Sequence, residues 1–222
     1  PELADIQFIC VYVQPKPEEY KKGIPGISQQ PHSGTHCAPT AAAACLKYFE
    51  GQGDGEICGG LGDHDLVDAL ADKAKTNQGQ SGTTPSDLAN AMEEWAKEHG
   101  DGYTVRGPKA FDWKEVRDEL ERSQDVLVGI YWTGGGGHRM TMNSIVNRPL
   151  PNGKIRVDFM DPWTGTIEYG DLDPATGQVT NFEGAGASGS LGNIIIVCPK
   201  EDDPSGGGGD PIPGPDPGPI PI

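Results

Sequence analysis

Hydrophobic and polar positions change their period about half way along the chain. Between residues 38 and 124, apolar residues recur at helical spacing in segments separated by Gly-rich stretches. From Asp125 onward they form short runs bounded by turn residues, which is typical of antiparallel strands. The pattern predicts helices at residues 38–50, 63–76, 83–100 and 111–123, followed by strands at residues 125–132, 138–147, 154–161, 165–172, 178–183 and 193–198.

The ends of the chain differ from its middle. Residues 5–13 predict a first strand, and the Pro-, Gly- and Lys-rich residues that follow predict a loop. Residues 200–222 are too rich in Pro and Gly to build a core. We therefore expect one domain at residues 1–199 and a linker or interaction tail at residues 200–222. Helices first and antiparallel strands afterwards predict an α+β domain in two lobes.

Local signals mark where helices begin. Thr84 or Ser86 is the expected N-cap of the third helix, and Asp112 with Glu115 forms a capping-box pattern for the fourth. The first helix begins at or just after Cys37. The partial positive charge of a helix N-terminus favours the thiolate, so Cys37 is the best candidate nucleophile, with a buried structural cysteine as the alternative.

Charge and hydropathy exclude some classes of binding partner. The chain has 33 acidic and 17 basic residues, a formal charge of −16, which repels nucleic acid and anionic lipid. No run approaches the roughly 18 apolar residues that a membrane span needs. The chain begins at Pro1 without a leader, so we expect a secretion signal to have been removed and the protein to be extracellular.

The chain has five cysteines, so one thiol would stay free if the other four formed two disulfides. Bridges between Cys10 and Cys198 and between Cys45 and Cys58 would leave Cys37 free, and the alternative is that all five are reduced. Zinc coordinated by Cys37, Cys45, Cys58 and a histidine would lack the close paired spacing of structural zinc sites. We expect neither a metal nor a cofactor.

The segment around Cys37 carries a family resemblance. Residues 27–49 read ISQQPHSGTHCAPTAAAACLKYF, with a glutamine, a short loop, Cys-Ala-Pro-Thr and a small-residue helix. This segment resembles the nucleophile region of papain-like cysteine peptidases, in particular the bacterial group with the double-glycine-leader (bacteriocin-processing) peptidases. Ala38 stands where that family usually has glycine.

Two later segments extend the resemblance. Residues 133–146, TGGGGHRMTMNSIV, resemble the family's Gly-His motif, and residues 154–169 resemble its strand ending in Asp-Pro-Trp. The resemblance implies His138 as the proton acceptor and Asp161 as the group that orients its ring. Arg139 occupies a position that is more often small or apolar. The implied fold is papain-like, with two lobes, a helical N-terminal half that holds the nucleophile helix and an antiparallel C-terminal sheet.

The same resemblance implies a side-chain donor for the oxyanion. Gln30 is the expected donor, with Gln29 as the alternative. His32 and His36 are expected either to line the cleft or to lie in its loop, whereas His64 and His99 are expected on helix surfaces.

The implied function is a secreted thiol hydrolase that cleaves peptide or isopeptide bonds in a peptide or protein substrate. A different class of function is a structural subunit of an extracellular filament or surface layer. In that hypothesis the peptidase-like fold self-associates through the Pro-rich tail at residues 200–222.

Overall fold

The structure is a computed structural model that describes residues 19–21, 23–30, 32–79, 81–146, 150–182 and 187–200. Within these residues the chain forms four helices and eight strands. In chain order the elements are β1 (Glu19–Lys21), α1 (Cys37–Gln52), α2 (Asp63–Lys73), α3 (Pro85–Glu98), β2 (Tyr103–Ala110), α4 (Trp113–Glu121), β3 (Asp125–Trp132), β4 (Gly137–Val146), β5 (Ile155–Asp161), β6 (Thr166–Leu172), β7 (Gln178–Phe182) and β8 (Ala187–Pro199).

The four predicted helices are confirmed, and so are the N-caps at Thr84 and Asp112. The side chain of Thr84 accepts a hydrogen bond from the Asp87 N–H at 3.0 Å, and that of Asp112 accepts one from the Glu115 N–H at 3.0 Å. Helix α1 ends at Gln52, and its C-cap is Gly53, whose φ of 103° is left-handed and suits glycine. These helix ends can be predicted from the sequence because capping depends on residues that are close together along the chain.

The predicted two-lobe papain-like layout is wrong. Strands β4, β3, β8, β7, β6 and β5 pair in that order, and β5 pairs again with β4, so six antiparallel strands form a closed barrel. The helical half is not a separate lobe, because β2 lies within it and pairs with β8. Closure depends on β3 pairing with β8, which is distant in sequence, and strand patterns do not reveal such partners.

Alternate residues of the barrel strands face two different cores. Val126 and Val128 of β3 belong to an apolar cluster that draws on all six barrel strands and on α4. Leu127, between them, packs in a second cluster with helices α1, α2 and α3. Ile194 and Ile195 of β8 divide in the same way. Burial on both faces explains why these strands read as continuous apolar runs rather than alternating ones.

Two strands were not predicted. β1 lies where a loop was expected, and β2 contains Gly107 and Pro108, which are usually turn residues. β8 starts six residues before the predicted strand at 193. In the part of the chain that the structure describes, no helix combines the length and the apolar character that crossing a bilayer requires.

Some predictions lie outside the described residues. They include the opening strand at 5–13, the partner Cys10 of the proposed Cys10–Cys198 bridge, and the tail from residue 201. The domain boundary at residue 199 therefore stays a prediction.

Candidate active site

Helix α1 places Cys37 at its first residue. The N-cap is His36, which makes no side-chain capping bond, so the first-turn N–H groups are not capped by a side chain. Ala41 to Ala44 are fully buried and allow a close approach of the helix to β4, where the Thr141 hydroxyl donates to the Ala41 carbonyl at 3.0 Å. The small-residue helix thereby holds Cys37 beside the start of β4.

Antiparallel pairing brings His138 to Asp161. Thr141 of β4 is opposite Met160 of β5, so the first residues of β4 lie beside the last residues of β5. The His138 Nε2 and the Asp161 Oδ1 are 2.6 Å apart. The Trp163 N–H donates to the same oxygen at 2.8 Å, and the exposed fractions of the two side chains are 10% for His138 and 3% for Asp161. The carboxylate is thus fixed from two sides.

Cys37 and the His138 ring line the same cleft, and each shifts the pKa of the other. Because Nε2 is bound to Asp161, Nδ1 is the ring nitrogen left for the sulfur. Burial lowers the pKa of His138, but the hydrogen bonds to Asp161 and Cys37 outweigh it and raise that pKa to about 9. Burial raises the pKa of Cys37. His138 lowers it, and so do the main chain and the charge of Arg139, so that the pKa of Cys37 falls below its ordinary value. The pair therefore favours thiolate and imidazolium.

The two glutamines occupy different environments. The side chain of Gln29 is fully buried and its Nε2 donates to the Ser33 carbonyl at 2.9 Å. Gln30 is exposed, and its main-chain N–H donates to the Ser28 hydroxyl at 3.1 Å. Neither lines the cleft described below, so the role of Gln30, or of Gln29 as its alternative, stays a prediction.

The loop before α1 packs directly on the turn after Asp161. The Gln29 N–H donates to the Pro162 carbonyl at 2.7 Å. A Cβ added at Gly26 would lie 2.3 Å from the Gly165 carbonyl oxygen, so only glycine allows this approach. The glutamine loop and the aspartate turn are thereby held together as one unit.

An open cleft of about 380 Å³ lies over the sulfur and the imidazole. It is bounded by the residues before α1, the start of α3, the β3–β4 hairpin and β8. Its lining side chains include Cys37, Thr83, Tyr131, His138, Arg139 and Asn193, and none of its lining residues is Asp or Glu.

Sequence reasoning missed several of these residues. Thr83 and Asn193 come from segments far from the three motifs, and nothing in their local pattern indicates a site. The Trp132 ring stacks on His138 with centroids 6.4 Å apart, and the exposed fraction of Tyr131 is 55%. A Tyr-Trp pair separated by Thr133 from a glycine run was the available signal, because exposed aromatics at a hairpin end often contact ligands.

The remaining histidines lie away from the cleft lining. His32 ties the loop before α1 to α2, with its Nδ1 2.7 Å from Asp68 Oδ1 and its Nε2 3.0 Å from His64 Nδ1. His36 stacks on His32, and His99 stacks on Trp95 with ring centroids 4.0 Å apart. His32 and His36 therefore lie in the loop before α1, the second of the two expected positions.

Two alternatives were open for the cysteines, paired or reduced. Cys58 is a buried free thiol, so the Cys45–Cys58 bridge of the first alternative does not form. Burial and the Glu50 carboxylate raise the pKa of Cys58 to about 12, so it is unreactive at neutral pH. Cys37 is also a free thiol, as the nucleophile requires.

Comparison with protein families decides what kind of protein this is. The model of the papain-like cysteine protease AvrRpt2 family matches residues 19–174, more than two thirds of the chain and all three motif segments. The chain belongs to this family. The match does not extend to the leader-cleaving group. No curated protein matches the chain.

Family membership indicates a cysteine protease acting on protein substrates. In this family the Cys37 segment is expected to supply the nucleophile.

Proposed function

We propose that this family member is a secreted thiol hydrolase that cleaves peptide or isopeptide bonds through Cys37, His138 and Asp161. The observation that carries the proposal is that Cys37 and His138 line one cleft, while the His138 ring is bound to the Asp161 carboxylate at 2.6 Å. The residues come from three separate elements, and their pKa directions suit the roles assigned to them.

The reaction begins with attack of the Cys37 thiolate on the substrate carbonyl carbon. The oxyanion that forms accepts a hydrogen bond from the Cys37 N–H, which has no acceptor within α1. The sequence resemblance assigns a second donor to the side chain of Gln30, although Gln30 does not line the cleft. The His138 imidazolium then gives its proton to the leaving amine, which leaves a thioester on Cys37.

Water releases the acyl group. Neutral His138 takes a proton from the water as it attacks the thioester, and the thiolate departs, which restores the starting pair. Asp161 holds the ring orientation through both half reactions and stabilises the imidazolium.

Labelling tests the nucleophile. A peptide carrying a thiol-directed warhead should label the wild-type protein once, and Cys37→Ala should abolish the label while leaving the circular dichroism spectrum unchanged. Cys58→Ala is the matched control, since it also removes a free thiol but should keep full labelling. Equal labelling of wild type and Cys37→Ala would refute the proposed nucleophile.

A second proposal rests on the composition of the tail. Residues 200–222 are rich in Pro and Gly, and extended Pro-rich segments bind grooves at low entropic cost. In an extracellular filament or surface layer, the tail would bind the next copy. Truncation after Pro199 should then abolish assembly seen by light scattering while peptide cleavage continues, and a monomeric full-length chain at high concentration would exclude this role.

A further inference from the structure

Arg139 is an arginine buried in the candidate active site. It follows His138 on β4, its exposed fraction is 6%, and it lines the cleft together with Cys37. Arginine is rarely buried without a partner, because its charge loses solvation. Its position therefore needs a compensating interaction.

The hydrogen bonds of Arg139 within the described residues are to neutral groups, and its charge also acts on the Cys37 thiolate. Its Nη1 donates to the Leu127 carbonyl at 3.4 Å and its Nη2 donates to the Asn193 Oδ1. No carboxylate of the described residues lies within ion-pair distance of it. The other described arginines each pair with Asp or Glu, namely Arg106, Arg117, Arg122 and Arg156.

The surroundings leave space and charge for an anion. Burial lowers the pKa of Arg139 to about 10, so the guanidinium stays charged at neutral pH. A Cβ at Gly129 would lie 3.2 Å from its Nη2, so glycine there makes room for the guanidinium. No Asp or Glu lines the cleft, although the chain has 33 acidic residues. The cleft is thus a locally cationic site on an acidic protein.

We propose that Arg139 binds a carboxylate of the substrate, either an acidic side chain close to the scissile bond or a free C-terminus. A guanidinium forms two parallel hydrogen bonds with a carboxylate, which fixes the position of the substrate as well as its charge. Asn193 orients the guanidinium through the Nη2 contact and is itself held by its Nδ2 bond to the Tyr131 hydroxyl at 3.2 Å. This inference rests on the proposed hydrolase function.

The test compares internally quenched peptides that differ only in Glu against Gln, or Asp against Asn, at each position around the cleaved bond. A second arm compares free and amidated C-termini, which separates the two sources of the carboxylate. At one position or at the terminus, wild-type kcat/KM should favour the carboxylate by about 10- to 100-fold, the usual effect of a charge-assisted hydrogen bond.

Arg139→Gln should reduce this ratio to about 1, and Arg139→Lys should keep it above 1. The ratio cancels any loss of folded enzyme, because both peptides meet the same preparation. Arg117→Gln, which removes an arginine on α4 away from the cleft, should keep the wild-type ratio. If Arg139 only stabilised the thiolate, Arg139→Gln would slow both peptides equally and leave the ratio unchanged, which would overturn the proposal.

Binding gives a readout that does not depend on turnover. In Cys37→Ala protein, calorimetry with the Glu and Gln versions of a peptide should show the same preference, and Arg139→Gln on that background should remove it. Equal affinities at every position and terminus would overturn the carboxylate site. Carboxylate-selective binding without cleavage by the wild-type enzyme would support the site and refute the hydrolase.

Discussion

The charge of Asp161 should set the pH at which His138 loses its proton. In the wild-type protein the pKa of His138 is raised from 6.5 to about 9. At 1.36 kcal/mol for each pKa unit, this rise favours the imidazolium by about 3 kcal/mol. The two raising partners are Asp161 and Cys37, so Asp161 accounts for a part of that free energy.

Asp161→Asn keeps an oxygen that can accept from the His138 ring but removes the negative charge. A charged neighbour typically shifts a pKa by roughly 1–3 units, and we expect the pKa of His138 to fall by roughly 1–2 of them. The pKa of His138 should fall because losing the negative charge of the carboxylate destabilises the imidazolium. His138 would then lose its proton, and its ion pair with the Cys37 thiolate, at a lower pH. The alkaline limb of the activity profile should move down accordingly.

The direct assay is an NMR titration of the His138 ring protons, assigned by their absence in His138→Gln. Iodoacetamide alkylation of Cys37 across the same pH range gives a second readout. Asp173→Asn is the matched control, because Asp173 follows the far end of β6 while the start of β6 lies beside Asp161. A wild-type titration near 6.5, or one that Asp161→Asn leaves unmoved, would refute the reasoning.

Three further changes probe the site and the barrel. Gln30→Ala should lower kcat by about 10²- to 10³-fold with little change in KM, and an effect seen only in Gln29→Ala would transfer the oxyanion role to that residue. Gly165→Ala should destabilise the fold by about 1–3 kcal/mol in urea unfolding, because its φ is +70° and the new Cβ would lie 2.8 Å from the Ser28 Cβ. Unchanged stability would contradict the packing of the loop before α1 on the turn after Asp161. Phe159→Ala, in the filled barrel, should cost about 3–5 kcal/mol by the same measurement, and a loss below 1 would argue against a packed interior.

Local sequence signals predicted what depends on nearby residues. The Ala-rich helix after Cys37 and the caps at Thr84 and Asp112 are determined by a few adjacent side chains. The order of short apolar runs after Asp125 predicted β3 to β7 to within a few residues. The sequence did not predict which of these strands pair with each other, because the pairing of β3 with β8 joins two segments more than fifty residues apart.

The site shows the same division between local and distant information. His138 and Asp161 were found through motifs, and the antiparallel register then brought them together. Asn193 and Thr83 were not found, since a residue joins a cleft through the packing of distant loops and strands. The burial of Arg139 was also not foreseen, because a charged residue in a strand pattern ordinarily indicates a solvent-facing position.

The register of β4 against β5 has a consequence for the assembly of the protein. Successive side chains of a strand point to opposite faces, so a slip of one residue from the Thr141–Met160 pairing would turn Asp161 away from the imidazole. The same slip would turn Val157 and Phe159 out of the barrel core, and the sulfur would lack its paired imidazole and carboxylate. The time course of warhead incorporation during refolding would therefore report when this strand pair reaches its native alignment.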